Sequence, residues 1–467
     1  MTGGDAGGIT ANRAPGGSGA RPGRLGVLLG SLYGPVTFGI MAAAVAVPYI
    51  PDVSGSVSTV WLLSGYAIAL GVGTAVFGPL TERWGTRACL RIGAVLLLAG
   101  TAVCLLAPTP EAVVSGRVVL AVGSSAVVTV VLTIAAHVDA EHRGAVARAL
   151  GAVMATFLAG ATLAGGAATE VIGWRAAVVL PVLSVLAVPW IARHHHRRGR
   201  PSAAFDAVGA GLLTVFATCT VGLTQIAVLT LTTASALAAG AAASGLALWV
   251  RARRRPDAFV PAALVREAQF RRVCLLAGCI YGARFAVVLA AGHLLADAGW
   301  TPLNSGVVLV LCAVAGVAVS HGLALRQRSS AKALLLAAGA LVIVGLVPSD
   351  SVGPLVITST VISSAVFALG QPMLTVALAA LRTDRRGTAV GLTYFSGFAG
   401  GAGGTAVVSV LMPPLGASVA IAVVALACLA GAVLAVSHVR VRDERGAATG
   451  PSSDAAGITL ERKEAVR

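Results

Sequence analysis

Long apolar runs recur along almost the whole chain. Fourteen can be marked out, at 25–48, 59–80, 88–107, 112–136, 146–170, 175–193, 205–228, 232–251, 271–296, 303–324, 331–348, 353–381, 388–412 and 416–437. Most hold roughly 18–25 residues, enough for an α-helix to cross a hydrocarbon core of about 30 Å. Inside a bilayer no water reaches backbone N–H and C=O groups, so such a run closes its hydrogen bonds within itself as a helix. The rest of the chain leaves little for a soluble surface. Only 11% of residues are charged and 57% are hydrophobic, against about 25% charged in a soluble domain. A soluble enzyme, a disordered scaffold and a secreted disulfide protein are all excluded, and an all-α polytopic membrane protein in contact with the lipid bilayer is expected.

The basic residues fix an orientation. Lys and Arg number 34 against 18 Asp and Glu, a net charge of +16. The cations collect in alternate loops: Arg83, Arg87 and Arg91; Arg143 and Arg148; Arg193, Arg197, Arg198 and Arg200; Arg251, Arg253, Arg254, Arg255, Arg266, Arg271 and Arg272; Arg326, Arg328 and Lys332; Arg382, Arg385 and Arg386. The intervening loops hold only Arg175 among acidic or neutral residues such as Asp52, Glu111, Glu170, Asp297 and Asp350. By the positive-inside rule both termini are expected in the cytoplasm, in a cell-membrane protein. The same placement assigns the charge to membrane topology, so no nucleic-acid partner is expected. The tails, 1–24 and 439–467, are polar or Gly/Ala-rich and expected to be disordered. The seven cysteines lie in or beside apolar runs without a CxxC pair and read as small packing residues.

An internal repeat divides the spans. HRGAVARALGAVMATFLAGATLAGG (142–166) opens the fifth and RRGTAVGLTYFSGFAGGAGG (385–404) opens the thirteenth. A repeat eight spans apart fits two six-helix bundles, 25–193 and 271–438. A linker at 194–270 would then hold two extra helices and an amphipathic loop. Parallel repeats meeting through small residues are a transporter arrangement.

Four segments carry a family resemblance. GPLTERWGTRACL (78–90) lies between the second and third spans; SGRVVLAVGSSA places Arg117 in the fourth; LAGATLAGG (158–166) precedes GWR (173–175); FDAVGAGLL (205–213) precedes RARRRPDAFVPAALVREAQFRR (251–272). Together with the span count they resemble the fourteen-helix drug:proton antiporter branch of the major facilitator superfamily. The resemblance implies a 6+2+6 architecture and secondary active efflux of an antibiotic, drug or secondary metabolite in exchange for protons. It implies a conformational latch of Gly78, Glu82, Arg83, Gly85 and Arg87, and a pivot at Gly160, Gly165 and Gly166. The departures are specific. Glu82 stands where the family has Asp, Leu120-Ala121 where it has Gln-Gly, Ala161-Thr162 where it has Gly-Pro, and Gly39 and Ala44 where the branch has a first-span Asp and Asn.

No Asp or Glu falls in the middle of any span. A proton-coupled pump needs a group whose ionisation differs between its two exposures. Glu170 and Asp297, at the outer ends of their spans, are the remaining candidates, with solvated rim charges as the alternative. Arg117 and Arg284 are cations within spans and would set cavity electrostatics, favouring an acidic or neutral polar substrate over a lipophilic cation, or would pair with rim carboxylates and helix ends. For Arg117 a snorkelling position at the span end is the alternative. Tyr281, Gln371 and Tyr394, with Gln225, Pro372 and Ser396, are candidate cavity residues, and His293 a candidate titrating group. The triplet His194–His196 lacks a carboxylate or Cys nearby, and adjacent helical residues point apart, so no metal site is expected. No Walker loop, HExxH or nucleophile–His–acid set is present; an ATP-driven pump and an enzyme are not expected, nor is any cofactor. A monomer is expected. An uncoupled or anion-type exporter on the same fold, and a membrane sensor or scaffold without transport, remain the alternatives.

Overall fold

The computed structural model describes residues 22–50, 57–194, 206–223, 230–255, 258–327, 330–348, 351–379, 381 and 386–436. Among them every regular element is helical. Twelve helices are long and apolar enough to cross a membrane by length and composition. With two shorter apolar helices they run in chain order as α1 (Gly23–Tyr49), α2 (Val57–Trp84), α3 (Thr86–Leu106), α4 (Pro110–Ala136), α5 (Ala140–Val171), α6 (Trp174–Arg193), α7 (Ala207–Leu223), α8 (Leu231–Arg254), α9 (Ala268–Asp297), α10 (Pro302–Gln327), α11 (Ser330–Val344), α12 (Val352–Ala379), α13 (Arg386–Leu415) and α14 (Ala417–Val436). The two short ones are α7 and α11. At about 1.5 Å per residue, the 15 residues of α11 fall short of a full hydrocarbon core. Tight turns over Gly345, Leu346 and Val347 end it, so the expected 331–348 span is not one continuous helix.

Helix breaks follow proline. In α1 a 3-10 turn spans Gly34–Thr37, and in α6 another spans Leu180–Ala187, each with Pro near its start. A proline has no N–H to give to the turn before it, and its ring crowds that turn's carbonyl. Thr37 partly compensates by donating its hydroxyl to the Gly34 carbonyl at 2.6 Å.

Helix contacts rest on small residues. In α9 and α13, Gly278 and Gly282 face Gly400 and Gly404, each pair four residues apart. A Cβ at any of these four would meet backbone of the facing helix, at 3.4 Å or less. Between α3 and α4, Gly93 and Gly100 interlock with Gly123 and Gly116 in the same way. With no hydrophobic driving force between helices in lipid, this close backbone approach is what packing has to offer.

The helix ends define two faces. One carries Arg83, Arg87, Arg143, Arg148, Arg251, Arg253, Arg254, Arg271, Arg272 and Arg326 and is called the basic face; Glu170, Arg175 and Asp297 mark the opposite face. The expected tails and the His194–His196 side chains lie outside the described residues, apart from residues 22–24. So do Gln225 and the loop cations Arg382 and Arg385.

Candidate functional site

Arg117 sits in the first half of the chain with 0% exposure. Its Nε donates to the Leu62 carbonyl at 2.7 Å, Nη1 to the Val178 carbonyl at 2.8 Å, and Nη2 to the Gly39 carbonyl. One side chain on α4 thus ties together α2, α6 and α1. The guanidinium also lies 4.7 Å from the centre of the Tyr66 ring, and Tyr66 Oη donates to Ser124 Oγ at 3.0 Å. Cation–π contact and charge-assisted bonds to carbonyl dipoles take the place of a counter-ion. The missing Cβ at position 39 matters here, because it would collide with the Tyr66 ring.

Arg284, midway along α9, is 3% exposed, and its Nη1 has no hydrogen-bond partner among the described residues. The Cys312 thiol of α10 is its neighbour, and no carboxylate of the described residues pairs with it. One turn toward the basic face, Tyr281 lines a cleft with Ala277 of the same helix, Gln371, Leu374, Thr375 and Leu378 of α12, and Thr393 and Tyr394 of α13. The free cavity is about 10 Å³, room for a water molecule rather than a substrate. Tyr281 is held edge-on by Phe285, Phe367 and Phe398 at 5.6, 5.1 and 5.3 Å between ring centres. Tyr33 of α1 lies within electrostatic reach of Tyr66, Tyr281 and Tyr394. Four of the five tyrosines therefore converge from both halves. Sequence reading named Tyr281, Gln371 and Tyr394 and missed Tyr33 and Tyr66, which carry no motif; their rarity in a chain with five tyrosines was the available signal. Ser396 donates to the Leu392 carbonyl at 3.0 Å within its own helix.

The opposite face is closed where α5 meets α10. Thr162 Oγ1 donates to the Gly306 carbonyl at 3.4 Å, and a Cβ on Gly166 would strike the Pro302 carbonyl. Gly165 instead packs on Ala42 of α1, and Gly160 has open space at its Cα, so the three expected pivot glycines have three different surroundings. Glu170 Oε2 accepts the Leu303 N–H at 2.9 Å, capping the first turn of α10 from the other half of the chain. Beside it Tyr49 Oη donates to the Trp300 carbonyl at 2.7 Å and lies 3.3 Å from Ser305 Oγ. Asp297 is exposed at the end of α9, with half-buried His293 one turn behind it. Toward the basic face, α5 residues 151, 152, 155 and 156 are exposed. A second contact between halves joins α2 to α13: Ser64 Oγ donates to the Ala402 carbonyl at 3.3 Å, and Gly391 nests against Thr74 and Ala75.

On the basic face, Gly85 takes φ +84° between α2 and α3, a conformation that favours glycine, and its N–H closes on the Thr81 carbonyl at 3.0 Å. Gly78 is buried in α2, while Glu82, Arg83 and Arg87 are exposed and bonded to no described residue. Nearby, Asp206 accepts Arg251 Nε at 2.9 and 2.8 Å and Nη2 at 2.6 Å, together with the amides of Gly209 at 2.9 Å and Phe259 at 3.0 Å. The Arg251 guanidinium and then the two amides hold this carboxyl down at about 2. The clasp joins the start of α7 to the end of α8 and to the following loop. That loop's Phe259 and Leu264 pack with Phe270 against Ala75, Ala389 and Leu392.

Comparison with known proteins agrees with this architecture. The family model for the Major Facilitator Superfamily matches residues 29–405. Multidrug resistance protein 3 of Bacillus subtilis is 26% identical over 152 residues, 32% of this chain and 30% of that protein. An MFS-type efflux pump of Arthroderma benhamiae is 28% identical over 134 residues, 28% of this chain and 25% of its own length. The uncharacterized MFS-type transporter Rv1877 of Mycobacterium tuberculosis is 27% identical over 267 residues, 52% of this chain and 38% of that protein. The matched stretches thus cover well under two thirds of these relatives. Among solved structures, a peptide transporter crystallised with sulfate superimposes with a TM-score of 0.63 at 16% identity, covering 89% of this chain and 94% of that one. The human organic anion transporter MFSD10 gives 0.59 at 14% identity, covering 89% and 100%. At these identities the likeness is one of fold.

Proposed function

The chain belongs to the Major Facilitator Superfamily, and on that footing we propose that it is a secondary active exporter of a small toxic molecule, working by alternating access. The observation that carries this reading is the asymmetry of the α5–α10 seam between the halves. At the opposite face Gly166, Thr162, Glu170 and Tyr49 close on Pro302, Gly306, Leu303 and Trp300, while α5 is exposed near the basic face. With the basic face in the cytoplasm, this is a state shut to the exterior. The exposed Glu82, Arg83 and Arg87 form the latch that engages when the basic face closes. Relatives named as efflux and multidrug resistance proteins support export. The two short helices α7 and α11 are read as two further spans, making fourteen in a single-chain transporter with both termini cytoplasmic.

Exchange for protons is part of the proposal, with Glu170 as the coupling carboxylate, because it alone of the candidates bridges the halves. Uptake of a labelled drug panel into inverted vesicles, with and without an acid interior, tests it. Uptake that collapses with the gradient and with Glu170→Gln supports exchange. Gradient-independent uptake favours the second reading, an uncoupled exporter, for which the absence of any Asp or Glu at mid-span speaks. Loss of all transport with binding intact would indicate a sensor or scaffold.

A further inference from the structure

We propose that Arg284 is a ligand-binding group and that the ligand is a small soluble organic anion bearing a carboxylate, sulfonate or phosphate; this names the substrate class of the exporter and rests on that reading. Donors and acceptors are out of balance around this side chain. A guanidinium at mid-span is expensive unless its charge and N–H groups are met by partners. Arg117 shows what meeting them takes: three carbonyls and an aromatic face. Arg284 is buried to the same degree, yet its Nη1 is bonded to nothing described.

One turn along the same helix, Tyr281 faces the buried Gln371 side chain of α12 across the cleft. A buried charged donor left open, with no acidic side chain among the described residues to receive it, makes a site short of acceptor oxygens. An anion's oxygens supply these, and the aromatic cluster of Tyr281, Phe285, Phe367 and Phe398 suits an apolar or aryl body attached to the anionic group once the cleft, which here has room only for a water, opens in the transport cycle. A cationic amphiphile is disfavoured at the same site by the unbalanced positive charge.

The closing experiment reads binding, so it does not depend on transport or on protons. Full-length protein in phosphatidylcholine nanodiscs is melted with 1-naphthoate, 1-naphthalenesulfonate, 1-naphthalenemethanol or 1-naphthylmethylamine. The two anions are expected to raise the melting temperature in a saturable way, and the alcohol and amine to leave it unchanged. Arg284→Gln is expected to weaken the anions by about 10-fold or more, and Arg284→Lys by less. Without ligand, Arg284→Met is expected to melt above the parent protein, because it removes an uncompensated buried charge. Equal anion shifts in Arg284→Gln, a larger shift with the amine, or no anion shift in the parent protein would each overturn the proposal. So would an Arg284→Met variant that melts lower, which would mean that Arg284 has partners in the folded protein. An Arg284-dependent shift produced by phosphatidylglycerol and by neither naphthalene anion assigns the site to a lipid headgroup and overturns the soluble ligand. If the anions bind and no vesicle transport follows, the exporter reading fails while the anion site stands.

Discussion

Arg117 and Arg284 are the same side chain at similar burial in the two halves of the chain, and they do opposite things. Arg117 spends its charge internally, on carbonyls of three neighbouring helices and the Tyr66 ring. It is a fastening whose cost is offset by bonds that no other side chain could make at once. Arg284 is left with an open donor beside an aromatic cleft. Burial alone therefore says nothing about the role of an intramembrane cation; the inventory of acceptors decides it.

The contrast is broken or sharpened first at Arg117. Arg117→Met removes three charge-assisted hydrogen bonds to carbonyls and with them the cross-tie among α1, α2, α4 and α6. A loss of at least about 3 kcal/mol is expected, seen as a collapse of the melting temperature, opposite in sign to Arg284→Met. If the two variants shift the same way, the comparison fails. Next comes the framework that holds each cation. Gly404→Leu drives a side chain into the Gly282 backbone and should cost about 1–3 kcal/mol. Gly403→Ala, with open space at its Cα, should melt within a degree or two of the parent protein, or slightly higher. Equal melting of these neighbours would disprove the close α9–α13 crossing.

A smaller effect is expected at the basic face. The Asp206 carboxyl is held at about 2, below its usual value near 3.9. Its folded-state pKa is depressed, so its contribution is complete above about pH 4 and lost as pH falls toward 2. Asp206→Asn should lower stability by ~1 kcal/mol at pH 7 and flatten the acid limb of the melting profile in that window. An unchanged acid limb would remove the clasp from the account. The smallest effect is expected at the opposite face. Glu170→Gln replaces a charged cap on α10 with a neutral one, worth about 0.5–1 kcal/mol. A cysteine introduced by Ser305→Cys should then react about two to five times faster with an impermeant maleimide. No change would mean that Tyr49 and the glycine contacts hold the face shut unaided.

Much of the fold was legible because lipid imposes simple rules. Runs such as 112–136 and 271–296 must be helices, and Arg placement must alternate. The 331–348 run was legible only as apolar, since hydropathy does not register where the turn after Val344 cuts the helix short. The site was less legible. Tyr281, Gln371 and Tyr394 were named from polarity within apolar runs and do meet in one cleft. Tyr33 and Tyr66 were not, because only the approach of the two halves makes them neighbours. Gly160, Gly165 and Gly166 look alike in sequence, yet one faces open space, one its own half and one the other half.

The sequence by itself determined that this chain is a helical membrane protein with one basic face, and that its mid-span charges are two arginines without a carboxylate. These follow from the energetics of single residues in hydrocarbon, which need no knowledge of neighbours. Tertiary structure alone decided which arginine is satisfied, that Glu170 reaches the Leu303 amide, and that the tyrosines converge. Each depends on acceptors, donors or open space brought from helices remote in sequence, and a hydrogen bond is set by angstroms of position rather than by residue type.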